Sequence, residues 1–138
     1  MKTAAKRNDV LPPGGPGDGS GMSYVDGYVL AVPVANKAAY REMAQEVAQI
    51  LKEYGALSVV ECWGDDVPEG ENTSFPMAVR LKQGEQVVFS WVLWPSRTVR
   101  DEAQKKFMAD PRVQCEDNPP PFDGSRMVFG GFEMIVNA

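Results

Sequence analysis

The chain has 138 residues, of which 43% are hydrophobic and 24% charged, and its net charge is −5. This length and balance suit one globular domain and leave no room for two ordinary ones. With 14 basic against 19 acidic residues, the chain lacks the clustered cations that bind nucleic acid by counterion release. No run approaches the roughly 20 apolar residues of a membrane-spanning helix. We therefore expect neither a nucleic-acid partner nor a membrane partner.

Residues 1–21 differ in composition from the rest of the chain. The proline, glycine and serine residues at 12–21 favour neither helix nor strand and offer almost nothing to bury. Met22 follows them and resembles a natural start residue. We interpret residues 1–21 as a disordered leader or a tail left by cloning, and residues 22–138 as the folded domain.

The first half of the domain predicts strand, helix and strand. Residues 24–33 are rich in aromatic and β-branched side chains and end at a proline, as a strand does. Asn36 can cap a helix whose apolar residues recur every three or four positions as far as the stop at Gly55. Residues 56–63 predict a second strand, and residues 75–81 fit either a short strand or one helical turn.

The second half predicts strand, helix and strand again. Residues 86–94 form a third strand closed by Pro95, and Ser96 can cap a helix that ends at Asp110-Pro111. Residues 126–136 predict the last strand. The order is that of the ferredoxin-like βαββαβ fold, an α+β sheet with two helices on one face.

The strands lack the polar alternation of a sheet with one wet face. Residues 87–94 contain one polar residue, Ser90, and residues 24–32 contain one charge, Asp26. Both faces of the sheet must therefore be covered, and the helices cover only one. Nothing left in the chain is long enough to cover the other, so we expect a second copy to do so. This predicts a homodimer of the dimeric α/β-barrel type.

The chain contains no histidine, which excludes Ser-His-Asp and Cys-His nucleophile systems and His-ligated metal centres. Its two cysteines, Cys62 and Cys115, are far apart and fit neither a disulfide framework nor a zinc pattern. We expect no metal, no cofactor and a reducing, cytoplasmic location. Cys62 lies in an apolar segment and is expected to be a small buried side chain.

Short segments along the domain resemble one bacterial family. They lie at 24–27 (Tyr-Val-Asp-Gly), 63–68 (Trp-Gly-Asp-Asp-Val-Pro), 88–91, 95–97, 100–101, 110–112, 121–124, 126–127 and 130–132 (Gly-Gly-Phe). With them, residues 22–136 resemble the family catalogued as domain of unknown function 1428, in the dimeric α/β-barrel superfamily. The resemblance implies the fold and a dimer but no activity. Related barrels include cofactor-free oxygenases and isomerases.

Carboxylates inside apolar strands are the first candidates for a site. Asp26 and Glu61 must each pair with an arginine, such as Arg97, Arg100 or Arg126, or lie in a wet cavity with a raised pKa. In a wet cavity such a group can act as a general base. Asp26 and Glu61 are therefore the candidates for a catalytic residue, and neither is assigned.

Aromatic and charged residues near the strand ends are candidates for holding a ligand. Trp91 and Trp94 are three apart on a strand, so one packs under the helices and the other faces the barrel interior. Arg97 brings a cation to a helix N-terminus, which is a natural anion site. The predicted ligand-binding residues are Trp63, Asp65, Asp66, Trp91, Arg97 and Arg126. The alternatives are a simple turn for the acids, core packing for the tryptophans and ion pairs for the arginines.

Three functions stay open at this point. The first is an enzyme of the cofactor-free oxygenase or isomerase type, acting on a small molecule bound between the helix-free sheet face and the loops at its ends. The second is a non-catalytic ligand-binding or regulatory dimer. The third is a structural or interaction role. The sequence does not decide whether the protein is an enzyme.

Overall fold

A computed structural model describes residues 23–114 and 119–138. The predicted leader at residues 1–21 and Cys115 lie outside the described residues. The strands are β1 (Tyr24–Pro33), β2 (Ser58–Trp63), β3 (Glu85–Trp94) and β4 (Val128–Glu133). The helices are α1 (Lys37–Glu53), α2 (Phe75–Ala78), α3 (Arg97–Ala109) and α4 (Pro111–Gln114), with short 3₁₀ turns at Val34–Asn36 and Gly124–Arg126.

The four strands form one antiparallel sheet in the order β2-β3-β1-β4. The α+β class and the ferredoxin-like βαββαβ order are confirmed. The last strand is shorter than predicted, because the chain makes a 3₁₀ turn up to Arg126 and β4 ends at Glu133. Among residues 23–114 and 119–138, no helix is long and apolar enough to cross a membrane.

The helix ends follow the sequence signals with one exception. The Ser96 side chain accepts a hydrogen bond from the Val99 amide, so it caps α3 as predicted. Gly55 ends the first helical segment with a φ of 118°, a conformation that glycine adopts without a steric penalty. Asn36 occupies the position before α1, but its side chain caps nothing and donates instead to the Pro121 carbonyl at 3.0 Å.

The helices pack on one face of the sheet and form the main core there. Among the described residues, the largest fully buried side chain is Trp94, which is 1% exposed. It packs with Val92 of β3 against Ala103 of α3. A second cluster joins β1 and β3 to α1 through Leu30, Val32, Tyr40, Ala44 and Val88. Since Trp94 faces the helices, the alternation of β3 places Trp91 on the opposite face, as predicted.

The helix-free face is only partly covered by the chain itself. The segment that contains α2 crosses one end of this face, where Val79 is fully buried against Ala31 and Val87. The prediction that no segment of the chain covers this face is therefore wrong for that end, because the loop after β2 is long enough to return. Elsewhere the face carries exposed apolar side chains, including Phe89 and Phe132.

A buried ion pair joins the sheet to α3. Both carboxylate oxygens of Asp26 accept hydrogen bonds from the Arg100 guanidinium at 2.8–3.2 Å, and Trp94 Nε1 donates to Asp26 Oδ2 at 2.9 Å. The guanidinium also lies 5.1 Å from the ring centre of Tyr24. A Cβ atom at Gly131, the β4 residue opposite Asp26, would lie 2.5 Å from Arg100 Nη2 and from Tyr24 Oη. A side chain at position 131 would therefore force Arg100 and Tyr24 to shift, which glycine avoids.

We predict that Arg100→Met destabilises the protein by about 3–5 kcal/mol, because it leaves the Asp26 carboxylate buried without its counter-ion. The matched control is Arg97→Met. Arg97 begins the same helix, and its side chain is 66% exposed beside Asp101, so its loss should change stability by less than about 1 kcal/mol. Urea denaturation measures both free energies of unfolding. Equal losses for the two variants would contradict the structural role of the Asp26–Arg100 pair.

Candidate functional site

A cavity of about 320 Å³ lies between α1 and β2 on the helix-covered side of the sheet. Because β2 is an edge strand, the cavity lies at the side of the domain and is partly open to solvent. Its α1 wall consists of Lys37, Tyr40, Arg41, Ala44, Gln45 and Ala48, and its sheet wall of Val59, Glu61, Cys62, Trp63 and Val88. The α1 residues recur at three- and four-residue steps and so share one helix face. Ala44 and Ala48 have small side chains, so they leave room for the cavity between the helix and the strand.

One carboxylate lies in the wall of this cavity. Tyr40 Oη donates a hydrogen bond of 2.6 Å to Glu61 Oε1, and Ser90 is the β3 residue opposite Glu61 in the β2–β3 pairing. Although Glu61 as a residue is exposed, burial of its carboxyl raises its pKa, and the hydrogen bonds from Tyr40 and Ser90 partly offset this effect. Burial and the bond to Glu61 raise the pKa of Tyr40, which stays a donor.

Two cations line the same cavity as the carboxylate. Lys37 Nζ is 4.9 Å from the ring centre of Trp63, a cation–π geometry that holds the ammonium group at the mouth of the cavity. Arg41 follows one turn later on the same helix face. Within the described ranges, neither side chain forms an ion pair with a carboxylate. The cavity thus combines an apolar floor, one hydrogen-bond acceptor and two uncompensated positive charges.

The predicted site residues are divided between different places. Glu61 and Trp63 both line the cavity. Asp65 and Asp66 are exposed in the loop that leaves β2 and do not line it. Trp91 is on the helix-free face beside Phe89, at 5.7 Å between ring centres. Arg97 begins α3 on the other side of the sheet, so Trp91 and Arg97 do not contribute to one site.

Two other candidates are held in ion pairs. Asp26 is bound to Arg100 and Trp94, which leaves it no contact with the cavity. Arg126 binds Glu85 at 2.7 Å and Asp123 at 3.1 Å, and its Nη1 also donates to the carbonyls of Val79 and Arg80. Arg126 therefore ties the α2 segment to the start of β3.

The prediction that Cys62 is buried is wrong. The thiol is free and the residue is exposed, because β2 is the edge of the sheet and position 62 alternates away from Glu61 and Trp63. In the part of the chain that the structure describes, no group of three or more Asp, Glu or Cys residues could hold a metal ion.

Sequence reasoning missed the α1 side of the site. Tyr40 falls in the apolar stripe predicted for the first helix, and Lys37 and Arg41 are polar positions with no distinguishing pattern of their own. A signal did exist, because a tyrosine in a buried stripe needs an acceptor for its hydroxyl, and Glu61 in an apolar strand needs a donor. The predicted alternatives for that carboxylate were an arginine partner or a wet cavity, and a tyrosine donor was not among them.

The comparisons with known proteins agree with this fold. Residues 23–124 match the family described as a protein of unknown function (DUF1428). The chain belongs to this family. Relatives named "Uncharacterized protein YbaA", from Escherichia coli strain K12 and from Shigella flexneri, are each 54% identical over 116 residues, covering 84% of this chain and 99% of their own. The family resemblance predicted from the sequence motifs is confirmed.

A solved structure extends the comparison to the fold. It is described as a dimeric ferredoxin-like protein from an uncultured marine organism, and it matches with a TM-score of 0.52 at 8% identity. The match covers 85% of the DUF1428 chain and 99% of that protein. At this identity the likeness shows the ferredoxin-like fold alone.

We predict that Glu61→Gln gains stability relative to the wild type as the pH rises from about 4 to 8. The measured quantity is the difference between the free energies of unfolding of the two proteins. Since burial raises the pKa of Glu61 in the folded state, ionisation costs stability as the pH rises above the unfolded value of about 4.3. Glutamine cannot ionise and keeps an oxygen acceptor for Tyr40. Thermal denaturation across this range measures the effect.

The control is Glu46→Gln, which replaces an exposed acid of α1 that does not line the cavity. Its profile should follow the wild type. A Glu61→Gln profile parallel to that of the wild type would show that the Glu61 carboxyl is as well solvated in the folded state as in the unfolded state.

Proposed function

We propose that the protein is a homodimer that binds a small molecule in the cavity between α1 and β2 of each subunit. The observation that carries this proposal is the cavity itself, which combines apolar walls with the Tyr40–Glu61 hydrogen bond. Its volume of about 320 Å³ falls at the lower end of the 300–1,000 Å³ range that is usual for ligand pockets. A ligand of few heavy atoms suits it.

The two walls of the cavity offer a ligand different kinds of contact. Val59 and Val88 offer apolar contact on the sheet side, and Ala44 and Ala48 offer it on the helix side. Glu61 supplies an acceptor whose position is fixed by the hydrogen bond from Tyr40. A few fixed polar groups in an apolar wall are what orients a small ligand.

Of the two candidates for a catalytic residue, Glu61 supports chemistry better than Asp26. The Asp26 carboxylate is occupied by four hydrogen bonds from Arg100 and Trp94. Glu61 faces the cavity, and a carboxylate with a raised pKa is suited to accept a proton. An enzyme of the isomerase type would use Glu61 as its base and needs no cofactor, whereas a non-catalytic binding protein would use it as an acceptor only.

The proposal keeps part of the predicted ligand-binding set. Trp63 lines the cavity, and Asp65 and Asp66 lie in the loop that follows it. Trp91 belongs to the helix-free face, where we propose that the second copy packs. Arg97 and Arg126 serve ion pairs instead.

We predict that Ala48→Phe fills the cavity and weakens ligand binding at least about tenfold. Ala48 is a half-buried lining residue on α1, so the larger ring occupies the ligand's space. Ala39→Phe is the control, because Ala39 is exposed on the same helix and does not line the cavity. A library of small metabolites is screened by ligand-induced shifts in Tm, and the compounds found are titrated calorimetrically into the three proteins.

Two results would contradict the ligand-binding proposal. One is a library in which no compound shifts the Tm of the wild type. The other is a set of ligands that bind Ala48→Phe as tightly as they bind Ala39→Phe, since they would then lie elsewhere.

The proposal of a homodimer rests on the helix-free face. On this face Phe132 is 60% exposed and Phe89 is 43% exposed, and Trp91 packs against Phe89. Phe75 of α2 continues the same aromatic surface, at 5.8 Å from the Phe89 ring. A contiguous apolar patch of this kind is rare on a monomer. The solved ferredoxin-like relative, described as dimeric, supports a second copy as the partner.

We predict that Phe132→Glu converts the dimer to a monomer, because two copies of the charge would be buried in a symmetric interface. Met108→Glu is the control. Met108 is 67% exposed on α3, on the helix-covered side, so its replacement should leave the dimer intact. Size-exclusion chromatography with light scattering at micromolar concentration gives both masses. A monomeric wild type, or a dimeric Phe132→Glu, would overturn the proposed interface.

A further inference from the structure

We infer that the ligand of the α1–β2 cavity is a small organic monoanion that also carries a hydrogen-bond donor, such as a hydroxy or amino carboxylic acid. This inference rests on the proposed function and names the class of ligand. It follows from the distribution of charge around the cavity, from the position of Lys37 and from the unused acceptor capacity of Glu61.

The net charge of the residues that line the cavity is opposite in sign to the net charge of the protein. The chain as a whole carries −5, yet the cavity is lined by two cations and a single carboxylate. Four of the other described arginines have carboxylate partners. Arg97 contacts Asp101, Arg100 contacts Asp26 and Asp101, Arg112 contacts Glu53 and Asp110, and Arg126 contacts Glu85 and Asp123. Arg41 and Arg80 have none among the described residues, and of these two Arg41 lines the cavity, so an anion from outside can bind there.

The two cations have a defined place relative to the cavity. Lys37 is held above the Trp63 ring at 4.9 Å, and Arg41 lies one turn further along the same face of α1. Residues four apart on a helix are neighbours, so the ammonium and guanidinium groups can bind one anionic group together. Arginine offers a fork of N–H donors that matches a carboxylate or a phosphate.

Glu61 determines which functional group the other end of the ligand carries. Tyr40 occupies its Oε1, and an ionised carboxylate has about four lone-pair positions in all. The remaining positions are available to a ligand in the cavity, which Glu61 lines as its one carboxylate. A ligand that placed a second anion there would meet the carboxylate at close range, which disfavours polyanions. A hydroxyl or amino group of the ligand can instead donate a hydrogen bond to the Glu61 carboxylate.

The test uses acids paired with their amides. The probes are 4-hydroxybenzoate with 4-hydroxybenzamide, 2-hydroxyhexanoate with its amide, and phenyl phosphate to separate phosphate from carboxylate recognition. Each amide keeps the shape and the donor of its acid but lacks the charge. Calorimetric titration into the dimer should show acids binding at least about tenfold more tightly than their amides, with affinity falling as salt is added.

The variants Lys37→Gln and Arg41→Gln should each remove most of the preference for acid over amide. Lys52→Gln is the control, because Lys52 is an exposed cation at the far end of the same helix and does not line the cavity. Amides that bind as well as their acids would overturn the inference. So would Lys37→Gln and Arg41→Gln proteins that behave like Lys52→Gln.

The outcomes also separate this inference from the proposed function. If the library contains ligands that Ala48→Phe excludes, and all of them are neutral or cationic, the cavity binds ligands but not anions, and only the inference fails. If no library compound and no probe binds, both fail.

Discussion

The Asp26 carboxylate is the constraint around which the rest of the sheet is arranged. A charge buried inside a central strand is tolerated only when donors surround it, and Arg100 and Trp94 supply them. Arg100 comes from α3, so the ion pair fixes where that helix lies on the sheet. With Asp26 satisfied in this way, Glu61 is left as the strand carboxylate that faces a cavity.

Much of the fold could be predicted because its signals are local. Runs of aromatic and β-branched residues, a period-3.6 apolar stripe, Ser96 and Gly55 marked the elements, and their order gave the topology. What was missed depends on where the chain returns in space. Val79 comes back onto Ala31 and Val87, and Arg126 holds that segment in place through Glu85. No periodicity in the sequence encodes such a return.

The site could be predicted only in part, for a related reason. Glu61 and Trp63 are unusual within their own strand and were identified from it. Their partners Lys37 and Tyr40 look ordinary in α1, since each fits an amphipathic helix. Only the packing of α1 against β2 brings the four together. Arg97 and Trp91 were predicted to share one site because they are close along the chain. They lie on different faces of the sheet.

The crowding at Gly131 has a consequence for how sequences of this fold can diverge. The two glycines of β4 look equivalent in sequence, but a Cβ at Gly130 would meet only the Phe132 ring, at 3.5 Å, which is an ordinary contact. At Gly131 it would collide with Arg100 and Tyr24. Position 130 is thus free to drift, whereas position 131 is coupled to position 100. Alanine at 131 would force Arg100 and Tyr24 to shift and so disturb the ion pair with the acid of β1. Covariation between positions 26, 100 and 131 is the evolutionary trace that this geometry should leave.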